Sequence, residues 1–442
     1  MRPLLGVVRA LAFATLLLCA LAQAATAKLA PVPSLPQAHG RPGHAELLRD
    51  PTGRALTAWS KALDRARAGK GQARAAFWGA SHTAADLWTG HLRRLWQAEY
   101  GDAGHGFVFP VRWNVGYRSQ DLNVDSSHGW QVLRHRQASA EPQIDGGYIG
   151  LAAASSDSAD FASLATTQEG EFGKTASELE IWLKVEANAG ELLVDIDGVR
   201  QPVLAPQSRL DVSQAPMIAA YSLPDSAHTI RMQPKGGATL TLYGAVLERS
   251  TPGIILDQLG IPGMTAAIHL RWLESTWRVL VEHRHLDLIV LAYGTNEVGN
   301  EQEPIELYVD QWRKVLTRVR RALPEVSCIL VGPTDRLGKD ELGKKRSMPR
   351  TSAVIAAQRQ VAAEFSCAHW DAQAAMGGAN AMKLWQKARL AQPDGVHLNR
   401  EGYMWLGDLF DYAVVRGVRE AKLHAPRPAT VRPKPRKPKQ KS

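Results

Sequence analysis

The chain has 442 residues, 45% of them hydrophobic and 22% charged. At roughly 100–200 residues per domain this is room for two or three domains, and the balance excludes a disordered, collagen-like or coiled-coil chain. The formal net charge is +10, but seven basic residues and no acidic ones sit in the tail Arg427–Ser442, and two more are Arg2 and Arg9. The body is therefore nearly neutral, with no basic stripe interleaved with aromatics, and no nucleic-acid partner is expected.

Arg2 and Arg9 precede an apolar run from Ala10 to Leu21 and a small-x-small site, Ala22-Gln23-Ala24. Residues 1–24 read as a secretory signal peptide, too short and wrongly flanked for a stable membrane anchor. Leu18 stands before Cys19 where lipidation needs a small residue, so Cys19 is expected to leave with that peptide. A multi-span membrane protein is excluded, because no other stretch resembles a membrane segment. Residues 25–42, rich in Pro and Ala, read as a linker.

A helix is predicted from His44 to Arg67, then a short buried strand, Ala75–Trp78, before Gly79. From about Arg112 to Ser250 the helical period is lost. Short runs at Trp130–Arg134, Tyr148–Ala152, Glu178–Val185, Leu192–Ile196, Thr229–Met232 and Ala238–Leu247 alternate with Gly, Asp, Pro and Ser. They predict an inserted antiparallel β-sandwich over 112–250. Within it Trp113 and Trp130 can stack on sugar faces, although core positions are the default for tryptophan.

Strand and helix alternate after Pro252. Strands are predicted at Gly253–Asp257, Leu286–Ala292, Cys328–Gly332 and Ala368–Asp371, and helices at Ala266–His283, Ile305–Leu323, Ser352–Phe365 and Arg400–Val418. The run LDLIVLA at 286–292 suits a strand buried on both faces. The expected fold is α/β: a parallel sheet with helices on both faces, built from 43–111 and 251–424 and interrupted by the sandwich. Trp78, Trp272 and Trp277 fit its core. The tail 425–442 alternates Pro with Lys/Arg and predicts an extended arm, either a solubilising tail or an anchor on an anionic envelope surface. Cys328 and Cys367 each stand near the start of a predicted strand. They form a disulfide if those strands are neighbours in an oxidising compartment, and are otherwise two buried thiols.

Four segments fall at the carboxyl ends of predicted strands, where ligands bind in open α/β sheets. Gly79-Ala80-Ser81-His82 places a serine between strand and helix, as a nucleophile or as a helix cap. Leu259–Thr265 contains Gly263, where the backbone can turn an N–H toward a ligand. Tyr293-Gly294-Thr295-Asn296-Glu297 puts an amide at a strand end, where it can cap a turn or face a developing oxyanion. Asp394-Gly395-Val396-His397 spaces an acid and an imidazole so that the first can orient the second. Each alone is weak. His82, Asp86, His105, Asp257 and Asp335 are secondary candidates, with capping, loop or surface roles at least as plausible. No Cys/His cluster has zinc spacing and no Gly-rich phosphate loop follows a strand, so neither metal nor cofactor is expected.

In the order Ser81, Gly263, Asn296, then Asp394 and His397, the set resembles the SGNH hydrolase superfamily, also called GDSL esterases, over about 70–110 and 252–420. The resemblance implies a flavodoxin-like sheet and Ser81, Asp394 and His397 as a triad. It also implies an oxyanion hole from the Ser81 and Gly263 N–H groups and the Asn296 amide. Ala80 departs from the Asp usual in that family's Gly-Asp-Ser. The insertion, the signal peptide and Tyr-Gly-Thr-Asn-Glu further resemble the peptidoglycan O-acetylesterases of Gram-negative bacteria, in which the insertion is similar to a carbohydrate-binding module. This implies a periplasmic esterase whose partner is O-acetylated peptidoglycan or a related polysaccharide. The alternatives are an esterase or O-acetyltransferase of another extracellular polysaccharide, or a catalytically idle glycan-binding protein.

Overall fold

The computed structural model describes residues 40–134, 143–208 and 215–424. The expected signal peptide, nearly all of the expected linker and the basic tail lie outside them. A five-stranded sheet runs in the order Gly253–Gly260, Gln72–Gly79, Leu288–Ala292, Ser327–Val331, Ala368–Trp370, with every neighbouring pair parallel. In chain order this is 2-1-3-4-5, the flavodoxin-like arrangement.

Side chains alternate between the two faces of a strand, and here both faces are covered. Ala73, Ala75, Phe77, Leu256 and Val290 share a core with Trp59, Trp96 and Phe410, from the helices Thr57–Arg67, Leu87–Tyr100 and Arg400–His424. Ala76, Trp78, Ile289, Leu291 and Leu330 face the other way. They pack with Trp277, Trp312 and Val354 of the helices Glu274–His283, Ile305–Ala322 and Thr351–Glu364. Trp78, Trp272 and Trp277 are each 1% exposed, as core positions require.

Between the first two strands of the parallel sheet, the chain forms two antiparallel sheets. One runs Met217–Ser226, Ala176–Leu183, Leu240–Glu248, Leu151–Ser155, Gln131–Arg134, with Gly104–Val108 pairing along Leu240–Glu248. The other runs Leu122–Ser126, Ala162–Thr166, Thr229–Pro234, Leu192–Ile196, Val199–Arg200. Their inner residues, including Leu164, Ile181, Val194, Ile230 and Leu242, belong to one buried cluster. Trp130 is 7% exposed and its Nε1–H donates to the Phe161 carbonyl at 2.9 Å, so it is a core residue here and not a sugar platform.

Two predicted helices are shorter than their periodicity suggests. The first is Thr57–Arg67, not His44–Arg67. Arg49 instead exchanges both main-chain hydrogen bonds with His369, at 2.8 and 2.9 Å, and covers the edge of the last parallel strand. Asp50 then accepts from the Thr52 and Ala55 N–H groups and turns the chain. The expected helix Ala266–His283 is a 3₁₀ turn, Ala266–Arg271, followed by Glu274–His283. The break comes from Ile144, whose N–H donates to the Arg271 carbonyl at 2.8 Å and whose carbonyl accepts the Leu273 N–H at 2.8 Å. Trp272 is thereby held extended.

Cys328 and Cys367 form a disulfide, with Cα atoms 4.6 Å apart. Ile329 pairs with Ala368 in the sheet, so the cysteines one residue earlier stand side by side.

Candidate active site

Strand register brings three of the four segments to one edge; the fourth, Asp394–His397, follows the helix Ala381–Lys387 and not a strand as expected. Gly79 is level with Gly260 on one side and with Ala292 on the other. The residues that follow these three positions therefore emerge together, beside the point where strand order reverses. Ser81 heads the short helix Ser81–Ala84, and Asn296 lies in the short helix Thr295–Val298. Gly263 sits in an exposed turn at φ +81°, tied down by the Ile261 N–H, which donates to the Gly79 carbonyl at 2.9 Å. The serine helix rests directly on Gly260, where a Cβ would lie 2.2 Å from the Ala84 nitrogen. At the head of that helix the Ser81 N–H has no carbonyl one turn back to bond.

His397 arrives from the far end of the chain. Its Nε2 lies 2.9 Å from Ser81 Oγ and its Nδ1 lies 2.7 Å from Asp394 Oδ2. An ionised carboxylate only accepts, so Nδ1 carries the proton and the Ser81 hydroxyl donates to Nε2. Asp394 Oδ1 also takes the main-chain N–H of Val396 at 2.9 Å and of His397 at 3.0 Å, which closes the DxxH segment into a fixed turn. Burial pushes the Asp394 carboxyl up, but the His397 ring and these two N–H groups outweigh it and hold it below the usual carboxylate value.

On the opposite side, Asn296 Nδ2 donates to the Met264 carbonyl at 2.8 Å, which orients the amide against the Gly263 turn. Glu297, to which the sequence reading assigned no role, binds the same two segments. Its buried carboxylate accepts from the Ala266 N–H and the Gly294 N–H, each at 2.9 Å. The motif Tyr-Gly-Thr-Asn-Glu contained it, but only the fold shows that its two oxygens bridge two loops.

Burial raises Glu297 from its ordinary 4.5 to about 7, against the pull of the N–H donors. Between those values the folded chain holds a proton that the unfolded chain has lost. The stabilisation from this proton is complete below about 4.5 and disappears as pH rises through about 7. Between about pH 5 and about pH 8, wild type is expected to lose about 2 kcal/mol relative to Glu297→Gln in chemical denaturation. Equal losses in the two proteins would contradict a buried, proton-binding Glu297.

The secondary candidates lie elsewhere. His82 stacks against His397, with ring centroids 5.4 Å apart, and bonds Tyr403 Oη at 2.7 Å and Thr334 Oγ1 at 3.2 Å. Burial, with the nearby His397, lowers it to about 3, so it is a neutral wall behind His397. Asp86 is buried against Arg93 and receives the Gln120 N–H. His105 is buried with Nε2 3.0 Å from the Gln120 carbonyl. Asp257 takes Arg284, the Tyr148 hydroxyl and the Phe107 N–H, so it docks the antiparallel strands onto the parallel sheet. Asp335 takes Ser347, Gln373 and the Met382 N–H. The last four are architectural and do not join the Ser81 cluster. Among the described residues, no group of three or more His, Cys, Asp or Glu side chains is placed to hold a metal ion.

Residues 229–405 match the GDSL-like Lipase/Acylhydrolase family. That span holds Gly263, Asn296, Asp394 and His397 and begins after Ser81. A solved structure of a peptidoglycan O-acetylesterase is similar over 84% of this chain and 99% of its own, with 24% identity and a TM-score of 0.69. A family two carbohydrate esterase from Cellvibrio japonicus covers 68% of this chain and 98% of its own, at 10% identity and TM-score 0.28. A salicylyl-acyltransferase from a tetracycline biosynthetic pathway covers 68% and 98%, at 13% identity and TM-score 0.29. No curated protein matches the chain. Over residues 229–405 the chain is thus similar to the GDSL-like Lipase/Acylhydrolase family, and its fold is that of a solved peptidoglycan O-acetylesterase.

Proposed function

We propose that this protein is a secreted serine esterase that removes O-acetyl groups from peptidoglycan, at the 6-hydroxyl of N-acetylmuramic acid. The observation that carries the reading is the continuous contact from Ser81 through His397 to Asp394, at 2.9 and 2.7 Å. The likeness to a peptidoglycan O-acetylesterase over nearly the whole of that chain supports the substrate. The expected signal peptide at 1–24 supports export to the periplasm, and the basic tail 425–442 suits an anionic envelope surface.

In this mechanism His397 Nε2 removes the Ser81 proton as Oγ attacks the acetyl carbonyl. The imidazolium that forms is stabilised by Asp394. The negative oxygen of the tetrahedral intermediate lies among the Ser81 and Gly263 N–H groups and the Asn296 amide. His397 then gives its proton to the sugar oxygen, the sugar alcohol leaves, and Ser81 carries the acetyl group. Water, deprotonated by His397, attacks that ester, releasing acetate and restoring the serine.

The Asn296 amide has two hydrogens, and the Met264 carbonyl occupies one. The other is available where charge develops. Asn296→Ala is therefore expected to lower kcat by about 10²–10³ with little change in KM. An unchanged kcat would remove Asn296 from the oxyanion site. The substrate is tested by acetate release from O-acetylated peptidoglycan beside p-nitrophenyl acetate. Cleavage of both supports the full reading; cleavage of the nitrophenyl ester alone leaves the serine chemistry and overturns the wall substrate.

A further inference from the structure

Residues 109–128 line a cavity of about 810 Å³ that takes no part in the chemistry above. Its size is that of a ligand pocket, and its walls are tied to each part of the reacting cluster. The Arg118 N–H donates to the carbonyl of Ala84, the last residue of the Ser81 helix, at 2.9 Å. Gly116 lies against Pro262, the neighbour of Gly263, so that a Cβ on it would sit 3.6 Å from Pro262 Cγ. Gln120 accepts from Arg400, three residues past His397, at 3.2 Å. The cavity thus adjoins the three segments that carry Ser81, Gly263 and His397.

Its lining combines two chemistries. The rings of Trp113 and Tyr117 lie 6.3 Å apart at a 40° tilt and form an aromatic wall. Around the wall stand the exposed guanidinium groups of Arg112 and Arg118, with Arg134 5.4 Å over the Trp113 ring. Asp125 is the one acidic residue of the lining, and Arg112 engages it at 3.3 Å. The excess charge is positive.

Aromatic faces suit the apolar face of a sugar ring, and an arginine fork suits a carboxylate. We propose that this cavity is a glycan subsite in which Trp113 and Tyr117 stack on a sugar ring while Arg118 pairs with a carboxylate of the same glycan. The inference rests on the peptidoglycan reading and adds which form of that glycan is recognised: strands freed of their stem peptide, where the lactyl group of the muramic residue bears a free carboxylate.

The test uses an O-acetylated muramyl oligosaccharide with its carboxylate free and the same compound with that carboxylate converted to an amide, each measured beside p-nitrophenyl acetate. Wild type is expected to cleave the acid with about tenfold higher kcat/KM than the amide. Arg118→Ala should abolish that preference. Trp113→Ala should lower kcat/KM on both glycans roughly tenfold more than on the nitrophenyl ester; Trp113→Phe, which keeps a ring, should recover most of the difference. If wild type cleaves acid and amide alike, or Arg118→Ala leaves the preference intact, the subsite is overturned while the esterase reading stands. If neither glycan is cleaved but the nitrophenyl ester is, the peptidoglycan reading falls and the subsite falls with it.

Discussion

Ser81→Ala is expected to lower kcat by about 10⁴–10⁶ for every ester substrate, with the protein still folded. In the proposed mechanism the hydroxyl oxygen forms the covalent bond, and it already lies 2.9 Å from His397 Nε2, the proposed base. Its removal leaves the oxyanion donors, which retain only the smaller share of the rate acceleration. Ser81 is half-buried on a short surface helix, and its side chain fills no core cavity. The thermal midpoint should therefore move little. The measurement is kcat on p-nitrophenyl acetate together with a melting curve. A variant that keeps esterase activity within tenfold would reassign the nucleophile. Ser226 also stands before an imidazole and a carboxylate, 3.3 Å from His228 Nε2 with Asp197 behind it, but that Nε2 lies 2.8 Å from the Pro224 carbonyl and must donate there, so it cannot serve as a base.

Asp394→Asn is expected to lower kcat by about 10³–10⁴. Asn keeps an oxygen that can serve the Val396 and His397 N–H groups, which now share Asp394 Oδ1. The turn around His397 should therefore persist. What changes is the partner of Nδ1. An NH₂ group there cannot accept, so the ring adopts the tautomer with its proton on Nε2 and can no longer take one from Ser81. The charge that stabilises the imidazolium is also lost. The Asp394 side chain is 43% exposed, so solvent screens part of this effect, which places the expectation at or below the loss seen for a buried triad. Melting curves of Asp394→Asn and wild type should coincide. A kcat within tenfold of wild type would show that His397 needs no acid to orient it.

The two variants separate the bond-forming atom from the group that prepares its base. The Asn296 and Glu297 variants examine the other half of the cluster, where one side chain is proposed to face the developing charge and its neighbour holds two loops together. His82 belongs to neither half. It is half-buried, neutral and set against His397, and its two ring nitrogens are occupied by Tyr403 and Thr334.

By itself, the sequence determined the α/β sheet and the blocks that carry its chemistry. A strand buried on both faces needs a continuous apolar run, and LIVLA at 288–292 supplies one regardless of its neighbours. Ser81, Asn296 and the Asp394–His397 pair were legible only together: each alone had a capping or loop use, and their order along the chain is what resembles a known set. Tertiary structure decided what depends on partners distant in the chain. Segment 44–56 covers a sheet edge because His369 offers unpaired main-chain groups, and the helix expected over 266–283 breaks because Ile144 takes its hydrogen bonds. The strands Ala162–Thr166 and Met217–Ser226 escaped the pattern: the first buries alternate residues but only Leu164 among them is large and apolar, and the second has no buried residue for an apolar period to mark. The pairing of Cys328 with Cys367, the bridging carboxylate of Glu297 and the cavity beside Ser81 have the same origin. Each is set by distances between segments, and spacing along a chain carries no record of those distances until the sheet's register brings the segments together.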